Sequence, residues 1–166
     1  DKNHEGAVRT LTLAARSKPS EFDYLTQFAL AEAQHELEDA WAKKNVGFDA
    51  EAAAFLDPTV FSRTITALLD SKRANASFAP TLDFLVGCYT WTKQYPDALV
   101  AAEFLVQAAP QCAQAYERRG EVYSALGRNP SAVQDFKTAV ELNPNTIARI
   151  NLARAYSKLG QHEESI

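Results

Sequence analysis

The chain contains no methionine, and among its 166 residues only two cysteines, three histidines and six glycines. Cys88 and Cys112 stand apart, without the CxxC or ligand-like spacing of a metal or redox site. Both are expected as free thiols: Cys88 as a small core residue, Cys112 in a turn after Pro110. That suits a reducing, cytoplasmic compartment. Two of the histidines, His4 and His162, lie near the ends, which leaves little for acid–base catalysis. No Ser/His/Asp set, HExxH or phosphate-cradling glycine loop occurs. Glu32-Ala33-Gln34-His35 has the Glu-x-x-His spacing of di-metal carboxylate bundles, but such a site needs a second copy and further glutamates. Neither His4 nor His162 follows a glutamate by three residues, so a solvated helix face is expected and no metal or cofactor. No apolar run is long enough to cross a bilayer, and no signal peptide is visible. With no methionine in the chain, the natural start is expected upstream of Asp1. Net charge is −4 with acids and bases mixed along the chain, which gives no clustered basic face for nucleic acid.

What is present is apolar material, 46% of residues, enough to bury a core. It is arranged in a repeat. Tyr116, Gly120, Val122 and Tyr123 share one helical stripe, and Ala132, Phe136, Ala139 and Val140 share another. Gly127 between them can end the first helix in a left-handed conformation, with Asn129 capping the second and Pro130 in its first turn. One constant step back along the chain carries Tyr123 onto Tyr89, Ala132 onto Ala98 and Pro144 onto Pro110. A forward step shorter by a single position carries Tyr123 and Gly127 onto Tyr156 and Gly160. Ala7, Leu11, Ala14 and Pro19 repeat the internal spacing of Ala132, Phe136, Ala139 and Pro144.

This pattern resembles the tetratricopeptide repeat family, whose unit of about 34 residues reads W-x₂-L-G-x₂-Y, A-x₃-F, P. The unit here reads Tyr116-x₂-Arg119-Gly120-x₂-Tyr123, Ala132-x₃-Phe136, Pro144. Arg119 replaces the usual leucine; its stem is expected to cover the core while its head reaches water. The resemblance implies an all-α, right-handed superhelical solenoid of antiparallel helix pairs. Its units would be a half repeat at 3–19, an atypical repeat at 20–78, repeats at 79–112 and 113–145, and a truncated repeat at 146–166. Residues 79–160 are expected as four helices, broken near Lys93-Gln94, at Pro110, at Gly127–Asn129 and at Asn143–Asn145. Half-units at both ends suggest a piece of a longer array or complex.

In the atypical repeat, Leu25, Phe28, Ala29, Ala33, Leu37 and Trp41 continue one stripe through a helix over 22–43. A connector over about 44–56 follows, with Asp57-Pro58 opening the next helix.

The family resemblance implies that the first helix of each unit lines a concave groove holding a peptide or helix of a partner. The wall would include Asp23, Gln27, Leu30 and Gln34, then Asp83, Phe84 and Trp91. Glu117, Arg118 and Glu121 follow, then Asn151, Arg154 and Lys158. Within it Phe84 and Trp91 form an apolar anchor, and Arg118, Asn151, Arg154 and Lys158 a polar, basic side. One subclass of the family holds acidic chaperone tails with a five-residue clamp. The matching positions here are Thr26, Leu30, Phe84, Gln114 and Arg118, of which only the arginine agrees, so that ligand is not expected. The function expected is a non-catalytic interaction scaffold. The alternatives are a secretion or assembly chaperone that shields a client, and the targeting arm of a larger enzyme.

Overall fold

The computed structural model describes residues 2–16, 23–45, 59 and 61–160. They form eight helices: α1 Lys2–Ala15, α2 Asp23–Asn45, α3 Ser62–Ala74, α4 Ala79–Trp91, α5 Tyr95–Ala108, α6 Ala113–Ala125, α7 Asn129–Leu142 and α8 Thr146–Leu159. Among the described residues there is no strand, and no helix is long and apolar enough to cross a membrane. Residues 79–160 hold five helices rather than the expected four. All four breaks fall where the sequence puts them, and four breaks leave a fifth helix beyond Asn143–Asn145. From residue 46 on, the connector and Asp57-Pro58 lie outside the described residues. The chain divides into two compact units, Asp1–Gln94 and Tyr95–Ile166.

In the C-terminal unit the small residues lie at the close approaches. Ala132, Phe136, Ala155 and Tyr156 are buried together, with Tyr123, Leu152 and Leu159 packed on them. A Cβ on Gly120 would lie 2.9 Å from Phe136 Cε1, so any larger residue there would push the buried Phe136 ring out of place between α6 and α7. Gly127 has φ 71°, and the amide of Arg128 donates to the Tyr123 carbonyl at 2.8 Å, which closes α6 as the sequence suggests. Asn129 is the first residue of α7 and not its cap. Its side-chain amide instead donates to the Lys158 carbonyl at 3.4 Å, meeting one of the carbonyls a helix end leaves unpaired. α7 has no side-chain cap, whereas α8 is capped by Asn145, whose Oδ1 accepts from the Ala148 amide at 2.8 Å.

Arg119 reaches water only in part, its side chain being 22% exposed. Its Nε and one terminal nitrogen donate to both oxygens of Asp135, each at 2.8 Å, and Asp135 is 4% exposed. The rings of Tyr116 and Tyr123 flank the guanidinium at 5.7 and 5.9 Å. A carboxylate on the next helix holds the head against the α6–α7 contact, and the hydrogen bonds raise the Arg119 pKa above its ordinary value.

In the N-terminal unit α2 packs against α1 and α3, and α3 against α4. The expected stripe on α2 is not the one that is buried. Leu30, Ala31 and Ala42 are buried, whereas Leu25 and Trp41 are exposed. A helix covered on several sides has no single apolar face, so periodicity misplaces it. Ser71 ties three helices together: its hydroxyl donates to the Tyr24 carbonyl at 2.8 Å and accepts from Thr81 at 2.8 Å.

The end of α4 repeats the end of α6 without its glycine. The amide of Gln94 donates to the Tyr89 carbonyl at 2.8 Å, one repeat before the Arg128–Tyr123 bond, and Lys93 takes φ 60°. A left-handed conformation costs a residue with a Cβ about 1 kcal/mol. Lys93→Gly is therefore expected to stabilise the protein by about 0.5–1 kcal/mol in denaturant titration. Unchanged or lowered stability would count against a strained Lys93.

Candidate functional site

Ile147, Ile150, Asn151, Arg154 and Lys158 recur at three- and four-residue steps, so α8 presents them on one face. Opposite them α6 presents Glu121, Ser124 and Ala125. A groove of about 720 Å³ runs between, with Phe136 and Ala155 also in its lining. Ile147 is 67% exposed and Ile150 44%, unusual for isoleucines within a packed unit. The Lys158 ammonium donates to Ser124 Oγ at 2.7 Å, which holds its charge over the groove. Arg154 is exposed and makes no ion pair among the described residues. The structure thus brings together Asn151, Arg154 and Lys158. Arg118 does not line this groove and lies 3.8 Å from Glu121 on its own helix. Sequence reasoning missed the two isoleucines, although their spacing from Arg154 carries the signal.

Phe84 and Trp91 are half-buried in the N-terminal unit, in a chain of rings. Phe84 meets Phe28 at 6.4 Å and His35 at 5.2 Å. Trp91 stacks on His35 at 6.0 Å and packs against Phe61 at 5.4 Å. These contacts give both rings a packing role. Leu30, expected on the groove wall, is buried. Gln27, Leu30 and Gln34 instead line a cavity of about 310 Å³ with residues of α3, because that side of α2 is covered by the helix that follows it.

Glu38, one turn beyond Gln34 on α2, accepts a hydrogen bond from Thr64 Oγ1 at 2.7 Å. It stands at the start of α3, where Phe61 supplies no side-chain cap. Burial raises its carboxyl from the ordinary range to about 7, against the lowering effect of Thr64, the Arg63 and Thr64 backbone amides and the Arg63 charge. The folded chain thus binds this proton more tightly than the unfolded chain. The Glu38 contribution to stability is complete below its unfolded pKa, about 4.5, and is lost as pH rises through about 7. The expected loss is on the order of 1–2 kcal/mol once solvent screening is allowed for. Glu38→Gln should flatten the dependence of the unfolding midpoint on pH across this window, and an unchanged slope would rule the assignment out.

The comparisons with known proteins bear on the fold. Residues 93–145 and 118–166 match the tetratricopeptide repeat family, and no curated protein matches the sequence. A MamA RS-1 double mutant superposes with a TM-score of 0.74 at 21% identity, over 98% of this chain and 79% of that one. MamA 41-end from Desulfovibrio magneticus RS-1 gives 0.61 at 19%, over 99% and 88%. The first TPR domain of human RPAP3 gives 0.60 at 20%, over 82% and 97%. With the repeated Tyr, Gly, Ala and Pro register and the all-helical packing, these findings give residues 93–166 a match to the tetratricopeptide repeat family and the chain a tetratricopeptide-repeat-like, all-α fold.

Proposed function

We propose that the chain is a non-catalytic interaction scaffold whose α6–α8 groove holds a short segment of a partner protein, as an extended peptide or a helix. The observation that carries this is the groove itself, about 720 Å³ with exposed Ile150 at one end and Arg154 and Lys158 toward the other. A large apolar side chain fits against Ile150, Ala125 and Phe136. The Asn151 amide can bond a peptide group, and an acidic side chain one turn away meets Arg154 and Lys158. A related fold supports the ligand class: the first TPR of Spaghetti (RPAP3) was solved bound to the HSP90 peptide SRMEEVD. The acidic-tail clamp of that subclass is not reproduced here, since only Arg118 of its five positions agrees. The free cysteines, Cys88 buried and Cys112 exposed, suit a reducing, cytoplasmic setting.

The test is selection of binding peptides on the folded chain, followed by titration of variants. Ile150→Asp is expected to weaken selected peptides about tenfold or more, as loss of a central apolar contact does. Arg154→Ala with Lys158→Ala should mainly slow association and reduce its salt dependence. Peptides that bind both variants as they bind the native chain would place the site elsewhere.

A further inference from the structure

Helix α2 carries one exposed stripe. Leu25, Glu32 and Glu36 follow one another along it at steps of seven and four, and all three are exposed, Leu25 by 43%. Ala29 stands one turn after Leu25 on the same side. An exposed leucine alone carries no message. The spacing of this one from the two acids does, because α8 repeats it. Ile147, Asn151, Arg154 and Lys158 follow one another on α8 at the same steps as Leu25, Ala29, Glu32 and Glu36 on α2. On both helices the apolar residue comes about 10 Å before the first charge, and the second charge follows about 6 Å later. The charges on α2 are negative and those on α8 positive.

We propose that the segment held by the α6–α8 groove is α2 of a second copy of this chain, laid parallel to α8. This rests on the reading of that groove as a site for a partner's helix or peptide. In parallel register Leu25 of one copy meets Ile147 of the next, and Ala29, being small, lets the helices approach beside Asn151 and Ile150. Glu32 then meets Arg154, and Glu36 meets Lys158. Reversing α2 would set the acids over the isoleucines and Leu25 against Lys158, so charge fixes the direction.

The first ion pair is the important one. Neither Glu32 nor Arg154 makes an ion pair among the described residues. Lys158 is held by the uncharged Ser124 hydroxyl, so its charge is still open to Glu36. Glu121 is the acid in the groove lining, and Arg118 lies 3.8 Å from it, which reduces its repulsion of an incoming carboxylate. Two different surfaces meet, so the contact is heterologous and copies add head to tail. One stripe against one groove is a small interface. Association is therefore expected to be weak, to grow with concentration and to fall with added salt.

The test is sedimentation velocity on the full chain over a concentration series up to about 0.5 mM, the range in which so small an interface is populated. The native chain should sediment faster as concentration rises. Glu32→Arg and Arg154→Glu, both at exposed positions, should each weaken association by about tenfold or more, because each sets like charges face to face. An equal mixture of the two variants should associate again: the new arginine of the first meets the new glutamate of the second, and the native pair forms at the other contact. Leu25→Asp should weaken association without touching the groove, and circular dichroism checks that every variant stays folded. A native chain that stays monomeric, a single variant that associates as the native chain does, or a mixture no stronger than its components overturns the proposal. Peptides selected on the groove separate this from the reading beneath it. Their binding should be unchanged in Leu25→Asp, and peptides that bind a chain which never self-associates would keep the groove and exclude the second copy as its occupant.

Discussion

Arg119→Leu, which restores the residue usual in the family at that position, is expected to destabilise the protein by about 3 kcal/mol or more. Consensus substitutions ordinarily stabilise, so the sign is the point. Asp135 is 4% exposed and both its oxygens are bound by Arg119. Leucine would fill the stem's volume but leave that carboxylate buried with no cation. Breaking one side of a buried pair costs far more than replacing both sides. The double change Arg119→Leu, Asp135→Leu should therefore recover most of the loss, because both groups then resemble the usual apolar packing of two helices. Denaturant titration of the native chain, the single and the double variants forms the cycle. A single variant as stable as the native chain, with no coupling in the cycle, would show that the ion pair contributes only on the surface.

That pair also shows where sequence reading stops. Gly120, Ala132 and Tyr123 announce the fold because each fills a place set by the distance between helices, and the same distance recurs from one unit to the next. Arg119 and Asp135 are 16 apart on different helices, and no periodicity links them. The Arg appears only as a departure from the pattern, and its partner appears only once α6 and α7 are placed side by side. The same holds for Glu38 and Thr64, separated by 26 residues. Asn151, Arg154 and Lys158 were legible as a group because a single helix carries them, so spacing alone fixes their common face. The N-terminal unit was legible least. Its α2 is packed on several sides, so the apolar stripe that locates a one-sided helix points there to exposed Leu25 and Trp41 instead of buried Leu30 and Ala42.

Trp91→Ala separates the two roles open to that ring. Trp91 stacks on His35 with planes 10° apart, packs against Phe61, which is fully buried, and covers Gly87. Truncation removes these contacts together and opens a void beside Phe61, because the helices holding it cannot collapse by a whole indole. Fully buried tryptophans lost this way cost about 3–5 kcal/mol; for a half-buried ring the lower end, about 3 kcal/mol, is expected. Trp91→Phe keeps a ring against Phe61 and His35 and should lose less than half as much. If the ring serves packing, affinity of the folded variant for peptides selected on the native chain stays unchanged while the unfolding midpoint drops. If it is a partner anchor, as the family resemblance implies, unfolding is little affected and binding weakens by about 2 kcal/mol. The rings of His35 and Phe61 already occupy two sides of the indole, so the first outcome is the expected one.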